Sequence, residues 1–334
     1  LYIELIGGLM KLGIIGAGSW GINLVRNFCR ILRTYNVTVC DLNENRLSSI
    51  ESEFAGIETF LNPDKIISND SIKSIVVATP AENHYEIAKK ALLAGKHVLV
   101  EKPLALETNE AEELIEISKN NKLKLMVDHL LIYHPVICKI KELIDKKDLG
   151  KIYYLYSERL NLGVVRSKEN VLWSLGPHDI SVVLYLLNEF PSRIEASGGI
   201  YIQEKQKIED SVFLHLSFPS GVDAHSHLSW LDPHKTRKMT IVGDKKMVVF
   251  DDMEPRNKLT IFDKGVEWTE KGGVSVRYGD IYIPSISLYE PLKAVCEHFI
   301  DCVEKDKKPK SDGDSGLQVL KILKEAQKSL EKNR

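Results

Sequence analysis

The chain lacks the features that would assign it quickly to several classes. Its 334 residues hold only five cysteines, Cys29, Cys40, Cys138, Cys296 and Cys302, an odd number with no C-x-x-C pair. That pattern gives neither a disulfide framework nor a zinc-ligand set, so free thiols in a reducing, cytoplasmic compartment are expected. No run approaches the ~18 uninterrupted apolar residues of a membrane helix. An excess of one charge is missing too: 45 Lys+Arg stand against 47 Asp+Glu, for a net −2. An overall electrostatic argument for nucleic acid or a membrane surface is thereby removed. Internal repeats and low-complexity segments are absent. The charge run KDKKPK at 305–310 reads as a solvated connector, with a basic partner site as the alternative. A nucleophile-elbow serine, a P-loop and a metalloprotease helix are absent as well.

What is present is ample core material, 43% apolar residues. At roughly 150 residues per domain the length suggests two domains. Residues 1–9 are apolar but too short to span a membrane and lack a basic n-region, so they are expected to extend outside a fold that starts at Met10. From there, strand-like runs at 11–17, 37–41, 74–79, 97–102 and 123–130 alternate with helical stretches at 43–54, 81–95 and 108–121. Buried strands separated by amphipathic helices predict an α/β domain over 10–130, a doubly wound parallel sheet. From about 150 the period becomes two, in runs at 151–162, 193–202, 211–218, 222–231, 236–243 and 246–252, with hairpin turns at 219–221 and 243–245. Helical texture returns at 291–305 and 315–332. The expectation for 131–334 is an α+β domain with one mixed or antiparallel sheet that leaves a face exposed.

Gly16-Ala17-Gly18-Ser19-Trp20-Gly21 is a G-x-G-x-x-G that follows a predicted strand and opens a predicted helix. Glycines there permit a tight turn and close approach of backbone to a pyrophosphate, and the helix N-terminus supplies N–H donors. Asp41 ends the next strand, 41 − 21 = 20 residues on. A carboxylate at that place can accept both hydroxyls of an adenosine ribose and repel a 2′-phosphate, although Asp41 could instead cap the following helix. With no arginine directly after Asp41, NAD is favoured over NADP. Thr79 and Pro80 end another strand at the carboxyl edge, where open α/β sheets bind ligands. Two readings stand for Thr79 and His84: contact with the cofactor, or a helix-start turn with a surface histidine.

Glu101-Lys102-Pro103 closes a further strand at the same edge. An ammonium there could bind a substrate hydroxyl and stabilise alkoxide charge as hydride leaves; the alternative is a surface lysine paired with Glu101. GAGSWG, ATP at 78–80 and GKHVLVEKPLAL at 95–106 together resemble the glucose–fructose oxidoreductase/inositol dehydrogenase (Gfo/Idh/MocA) family, from about residue 10 to the C-terminal helix. The resemblance implies a Rossmann domain for NAD(P), a second domain whose open sheet forms a homodimer or homotetramer, and sugars or polyols as substrates. It also implies that Lys102 is the active-site lysine, that Gly16, Gly18 and Gly21 cradle the pyrophosphate, and that Ser19, Trp20 and Glu101 lie with them at the cofactor.

The family's usual Asp-x-x-x-His-x-x-Asp pattern meets WSLGPHDIS at 173–181, where His178 aligns but Ser174 and Ser181 replace the two acids and Asp179 stands beside the histidine. With its ordinary pKa near ~6.5, His178 suits removal of a hydroxyl proton; alternatively it caps the helix that follows, with Asp179 a first-turn acid. The block at 157–181, with YHP at 133–135 and SWLDPHKTR at 229–237, resembles the branch of the family that oxidises the 3-hydroxyl of UDP-N-acetylglucosamine. In that reading Arg159 and Asn161 bind sugar hydroxyls, Arg166 and Lys168 meet the diphosphate, and Asp179 completes the substrate set. Rival readings are an inositol or simple-sugar dehydrogenase and an NAD-binding regulator without turnover. No metal is expected: His215, His225 and His227 read as sheet histidines, and Trp173, Trp230 and Trp268 as packing or interface residues.

Overall fold

Six short apolar strands of the first half line up in parallel in the computed structural model, which describes residues 10–269 and 272–332. They are β1 (Lys11–Ile15), β2 (Val37–Cys40), β3 (Glu58–Phe60), β4 (Ile72–Val77), β5 (His97–Val100) and β6 (Leu125–Val127). Their order is β3-β2-β1-β4-β5-β6. Helices α1 (Gly21–Leu32), α2 (Glu44–Glu53), α3 (Pro63–Ile67), α4 (His84–Leu93) and α5 (Thr108–Asn120) make the crossovers. Consecutive residues such as Ile75, Val76 and Val77 are all fully buried, as a parallel strand covered on both faces requires. The order reverses between β1 and β4, so the crevice of this Rossmann sheet opens at their carboxyl ends.

Local signals account for the element ends. Asn43 caps α2, its side chain accepting from the N–H groups of Asn45 and Arg46. α4 stops at Gly95, whose φ of +74° is glycine's conformation; Gly95 N–H donates to Leu92 and Lys96 N–H to Ala91 in a Schellman closure. β3 and α3 escaped the sequence reading: β3 is three residues, Glu-Thr-Phe, none of them buried, and offers no apolar run. The expected extension, residues 1–9, lies outside the described residues.

The second unit contains α6 (Pro135–Asp145), β7 (Ile152–Leu160), α7 (Val171–Leu187), β8 (Arg193–Gly199), β9 (Ser211–Ser217), β10 (Asp223–Ser229), β11 (Thr236–Gly243), β12 (Met247–Asp251), β13 (Leu259–Trp268) and β14 (Val274–Tyr282). Its eight strands run β14-β13-β12-β11-β7-β10-β9-β8, antiparallel except for the parallel β7–β10 pair. The sheet is therefore mixed and open. Along β9, Val212, Leu214 and Leu216 face inward beneath α7, while Phe213 and His215 face out. β13 and β14 were not anticipated. A register shift between Phe262 and Lys264 breaks their two-residue period, and charged residues interrupt the run.

Two helices close the chain, α8 (Pro291–Glu304) and α9 (Gly313–Lys332). Residues 290–320 pack with the first unit, although the sequence reading grouped them with the second domain. α8 lies against α1, and Glu290 accepts from the Arg26 guanidinium at 2.5 Å and from Asn27 at 3.1 Å. The remainder of the second unit is 131–289 with the chain from 321 onward. Phe299 on α8 is completely buried, so Phe299→Ala is expected to cost about 3–5 kcal/mol. Hydrogen exchange should record that loss in β1–β6 and leave the protection of β7–β14 unchanged.

Candidate functional site

Three glycines of the loop between β1 and α1 are glycines for three different reasons. Gly16 adopts φ +103°, and a Cβ on it would lie 2.5 Å from the carbonyl oxygen of Ala78. A Cβ on Gly21 would meet the carbonyl oxygen of Gly16 at 2.2 Å, so only glycine lets α1 start that close to the strand. Gly18 is different: a Cβ there would find nothing of the protein within 4 Å. Packing does not demand a glycine at 18, whereas a ligand brought close to the main chain would. Ser19 and Trp20 stand exposed beside it, at the start of α1.

Asp41 settles between its two readings. The cap of α2 is Asn43, which leaves the Asp41 carboxylate for the glycine loop: Oδ2 accepts from Ala17 N–H at 2.7 Å and Oδ1 from Asn43 N–H at 2.9 Å. An arginine is nearby after all. Arg46, one turn into α2, brings Nη1 to 3.4 Å from Asp41 Oδ2 while remaining half exposed. At Thr79 the hydroxyl is buried and has no protein partner. The room over Gly18, the carboxylate at Asp41 and this orphaned hydroxyl, all at the carboxyl edge, fit a dinucleotide.

His84 is neither a surface residue nor open to a ligand. Only 1% exposed, it sets Nδ1 2.7 Å from the Pro103 carbonyl and Nε2 2.8 Å from the Thr79 carbonyl. Burial pulls its pKa down against those two carbonyls, which pull it up. Its part is to brace the turn after β4 against the loop after β5. On that loop Glu101 and the half-buried Lys102 follow β5 directly. Beside them, after β6, come two residues that the sequence reading left inside a strand, Asp128 and His129, 3% and 2% exposed. Burial and the neighbouring Lys102 charge push the His129 imidazole down to about 3, which keeps it neutral. Two polar residues at the carboxyl end of the apolar run LKLMV were the available signal.

In the second unit α7 carries His178, half-buried in the helix interior. Asn170, not His178, is the cap: its Oδ1 accepts from Trp173 N–H at 3.1 Å, and its amide donates to Glu209 and Gln327 at 2.7 and 2.9 Å. Since α7 starts at Val171, Asp179 is not a first-turn acid. Arg159 and Asp179, expected to meet a substrate, meet each other: Arg159 Nε and Nη2 donate to the two Asp179 oxygens at 2.7 and 3.1 Å, with the residues 7% and 3% exposed. This bidentate pair ties α7 to β7 next to His178. Asn161 lies just past β7, half-buried, while Arg166 is exposed on the loop that follows, 3.8 Å from Glu169. Among the described residues no group of three or more His, Cys, Asp or Glu could hold a metal ion. His215 and His225 face each other at 3.0 Å on the open sheet, and His227 stacks on Phe213.

A parallel sheet in Rossmann order, with this loop and an acid at the end of β2, defines a dinucleotide-binding protein. Residues 10–129 match the oxidoreductase family with an NAD-binding Rossmann fold, and residues 137–249 match the GFO/IDH/MocA C-terminal domain. The chain belongs to the Gfo/Idh/MocA oxidoreductase family. It is 26% identical to a UDP-N-acetylglucosamine 3-dehydrogenase of Acidithiobacillus ferrooxidans, over 93% of this chain and 94% of that one. A myo-inositol 2-dehydrogenase of Thermotoga maritima is 24% identical, over 97% of each. Among solved structures, an oxidoreductase of Magnetospirillum magnetotacticum superposes with a TM-score of 0.82 at 27% identity, covering 96% of this chain and 100% of that one.

Two substitutions separate fold from binding. Gly18→Ala is expected to leave thermal unfolding unchanged and to weaken dinucleotide binding, measured by calorimetry, by about tenfold or more. Asp179→Ala strands a buried guanidinium, and denaturant unfolding should show a loss of about 3–5 kcal/mol.

Proposed function

We propose that the chain is an NAD-dependent dehydrogenase that oxidises a sugar hydroxyl to a ketone, acting on the 3-hydroxyl of a UDP-N-acetylhexosamine. The observation that carries the dehydrogenase reading is Gly18, open where packing asks for no glycine, with the Asp41 carboxylate beside the same loop. The sugar is supported by similarity to a UDP-N-acetylglucosamine 3-dehydrogenase along nearly the whole chain.

Gly16, Gly18, Ser19, Trp20 and Gly21 would hold the pyrophosphate, Asp41 the adenosine ribose, and Thr79 with Pro80 the middle of the cofactor. When bound, the nicotinamide supplies a hydride acceptor for the sugar carbon. Lys102 then binds the reacting hydroxyl through its ammonium and stabilises negative charge as the oxygen loses its proton. His178 takes that proton, imidazole being the side chain most often used as a general base. Asn161 and Arg166 remain the groups offered to the sugar and its diphosphate, whereas Arg159 and Asp179 serve them indirectly by fixing α7. Asp41 disfavours a 2′-phosphate, and the preference for NAD rests on it.

The open sheet supports self-assembly into a homodimer or homotetramer. On β13 and β14, Trp268 is 79% and Tyr278 77% exposed, a large apolar surface for a protein standing alone. All five cysteines are free thiols, in keeping with a reducing cytoplasm, and no described helix is long and apolar enough to cross a membrane.

The test is formation of reduced nicotinamide with NAD and UDP-N-acetylglucosamine, beside myo-inositol and glucose. Turnover with the nucleotide sugar is expected, and Lys102→Ala should lower kcat by about 10²–10⁴-fold with NAD binding retained. Bound NAD without turnover of any of the three would contradict the reading. Asp41→Ser should raise NADP use relative to NAD by about tenfold, since the carboxylate that repels the 2′-phosphate is gone and Arg46 is released to meet it.

A further inference from the structure

β5 and β6 are parallel neighbours in register, Val100 opposite Val127. The residues that follow, Glu101 and Asp128, are therefore side by side, and Asp128 N–H donates to the Val100 carbonyl at 2.8 Å. Their carboxyls are shut in together. Among the described residues no N–H or O–H stands in ordinary hydrogen-bond geometry to either oxygen of Asp128 or to Oε1 of Glu101, and all three atoms are out of contact with water. The remaining oxygen, Glu101 Oε2, accepts only a long bond of 3.3 Å from Lys102 N–H among those resolved. Two carboxylates so placed cannot both carry charge. A proton held between them turns an orphaned acceptor into a donor and satisfies both groups at once.

We propose that Glu101 and Asp128 share one proton at neutral pH and act as a positioning pair for Lys102, presenting one negative charge, not two, behind its ammonium. The proposal rests on the reading that Lys102 binds the reacting hydroxyl. A single charge keeps the lysine protonated without drawing its ammonium back into a doubly charged pocket. Burial and mutual repulsion raise the Glu101 pKa well above the ordinary carboxylate range, and burial raises that of Asp128. Lys102 and the Trp20 indole oppose both rises. Two further titratable groups lie close among the described residues and are neutral: His129, next in the chain after Asp128, whose pKa burial has lowered, and the Cys296 thiol on α8, which burial and the charges of Asp128, Glu290 and Glu101 push well upward. Lys102 is thus the cation that the pair serves.

Infrared difference spectroscopy with hydrogen–deuterium exchange reads the shared proton in the resting protein, without substrate. The carbonyl stretch of a buried protonated carboxyl is expected in the wild type at about pH 7, lost on the alkaline side, and absent from both Asp128→Asn and Glu101→Gln. In activity, Asp128→Ala should lower kcat about tenfold with the KM for NAD unchanged. Asp128→Asn, which keeps the shape and a donor, should restore most of kcat while abolishing the limb of the pH–rate profile that belongs to the pair. A wild type without the band at neutral pH, or a band that survives both substitutions, overturns the proposal. So does an unaltered pH profile in Asp128→Asn. Failure of the underlying reading looks different, because Lys102→Ala would then leave turnover intact whatever the infrared spectrum shows.

Discussion

The approach of main chain to main chain at the β1–α1 turn governs the first unit. With Gly16 against the Ala78 carbonyl and Gly21 against the Gly16 carbonyl, the chain leaves one strand, crosses the end of the next and enters a helix with no room for a methyl group. That closeness brings the N-terminus of α1 to the place where the strand order reverses, and Asp41 completes it from β2 by accepting from the loop itself at Ala17. The other features that this unit contributes to the candidate site are set out along the same edge: Thr79 after β4, Glu101 and Lys102 after β5, Asp128 and His129 after β6. A parallel sheet delivers the residue after each strand to one line. A short stretch of strand ends thus gathers most of the chemistry of this unit.

Charge is handled in two ways within the molecule. At the edge of the first sheet, Glu101 and Asp128 bury three carboxyl oxygens with no partner among the described residues, and the proposed shared proton answers for them. In the second unit the buried acid Asp179 has its cation in full, gripped by both arms of Arg159. As proposed, the first arrangement gains or loses charge as pH changes, while the second is a fixed strut. They also differ in what removal of one member leaves behind, an unpaired guanidinium in one place and a relieved acid in the other.

Much of this was legible from the residues alone, and what was not has identifiable causes. The glycine spacing, Asp41 and the alternation of apolar runs with helices led to a Rossmann sheet, and period two led to an open second sheet with one covered face; both are present. β3 was too short and too exposed to show a pattern, and the shift at Phe262 hid β13 and β14. Partner choice was harder to read. In NLGVVRSKENVLWSLGPHD the local sign of the helix start is Asn170, a favoured cap directly before Val171, but Gly176 and Pro177 break the helical pattern after it, so His178 and Asp179 can be taken for first residues when they lie two turns inside. Arg159 and Asp179, as isolated charges, suggested a ligand, because a buried ion pair between positions 20 apart leaves no local mark. Arg46 sits five residues after Asp41, too far along the chain to mark the acid's partner, although the start of α2 returns it to the carboxylate.

In the proposed reaction, hydride leaves the third carbon of a nucleotide-linked sugar. Incubation with NAD and UDP-N-acetylglucosamine carrying deuterium at that carbon, followed by mass spectrometry of the nicotinamide, tests it directly. One deuterium in the reduced cofactor and an unlabelled 3-keto sugar are expected. Reduced cofactor without the label, or label retained on a sugar that has not been oxidised, would contradict it.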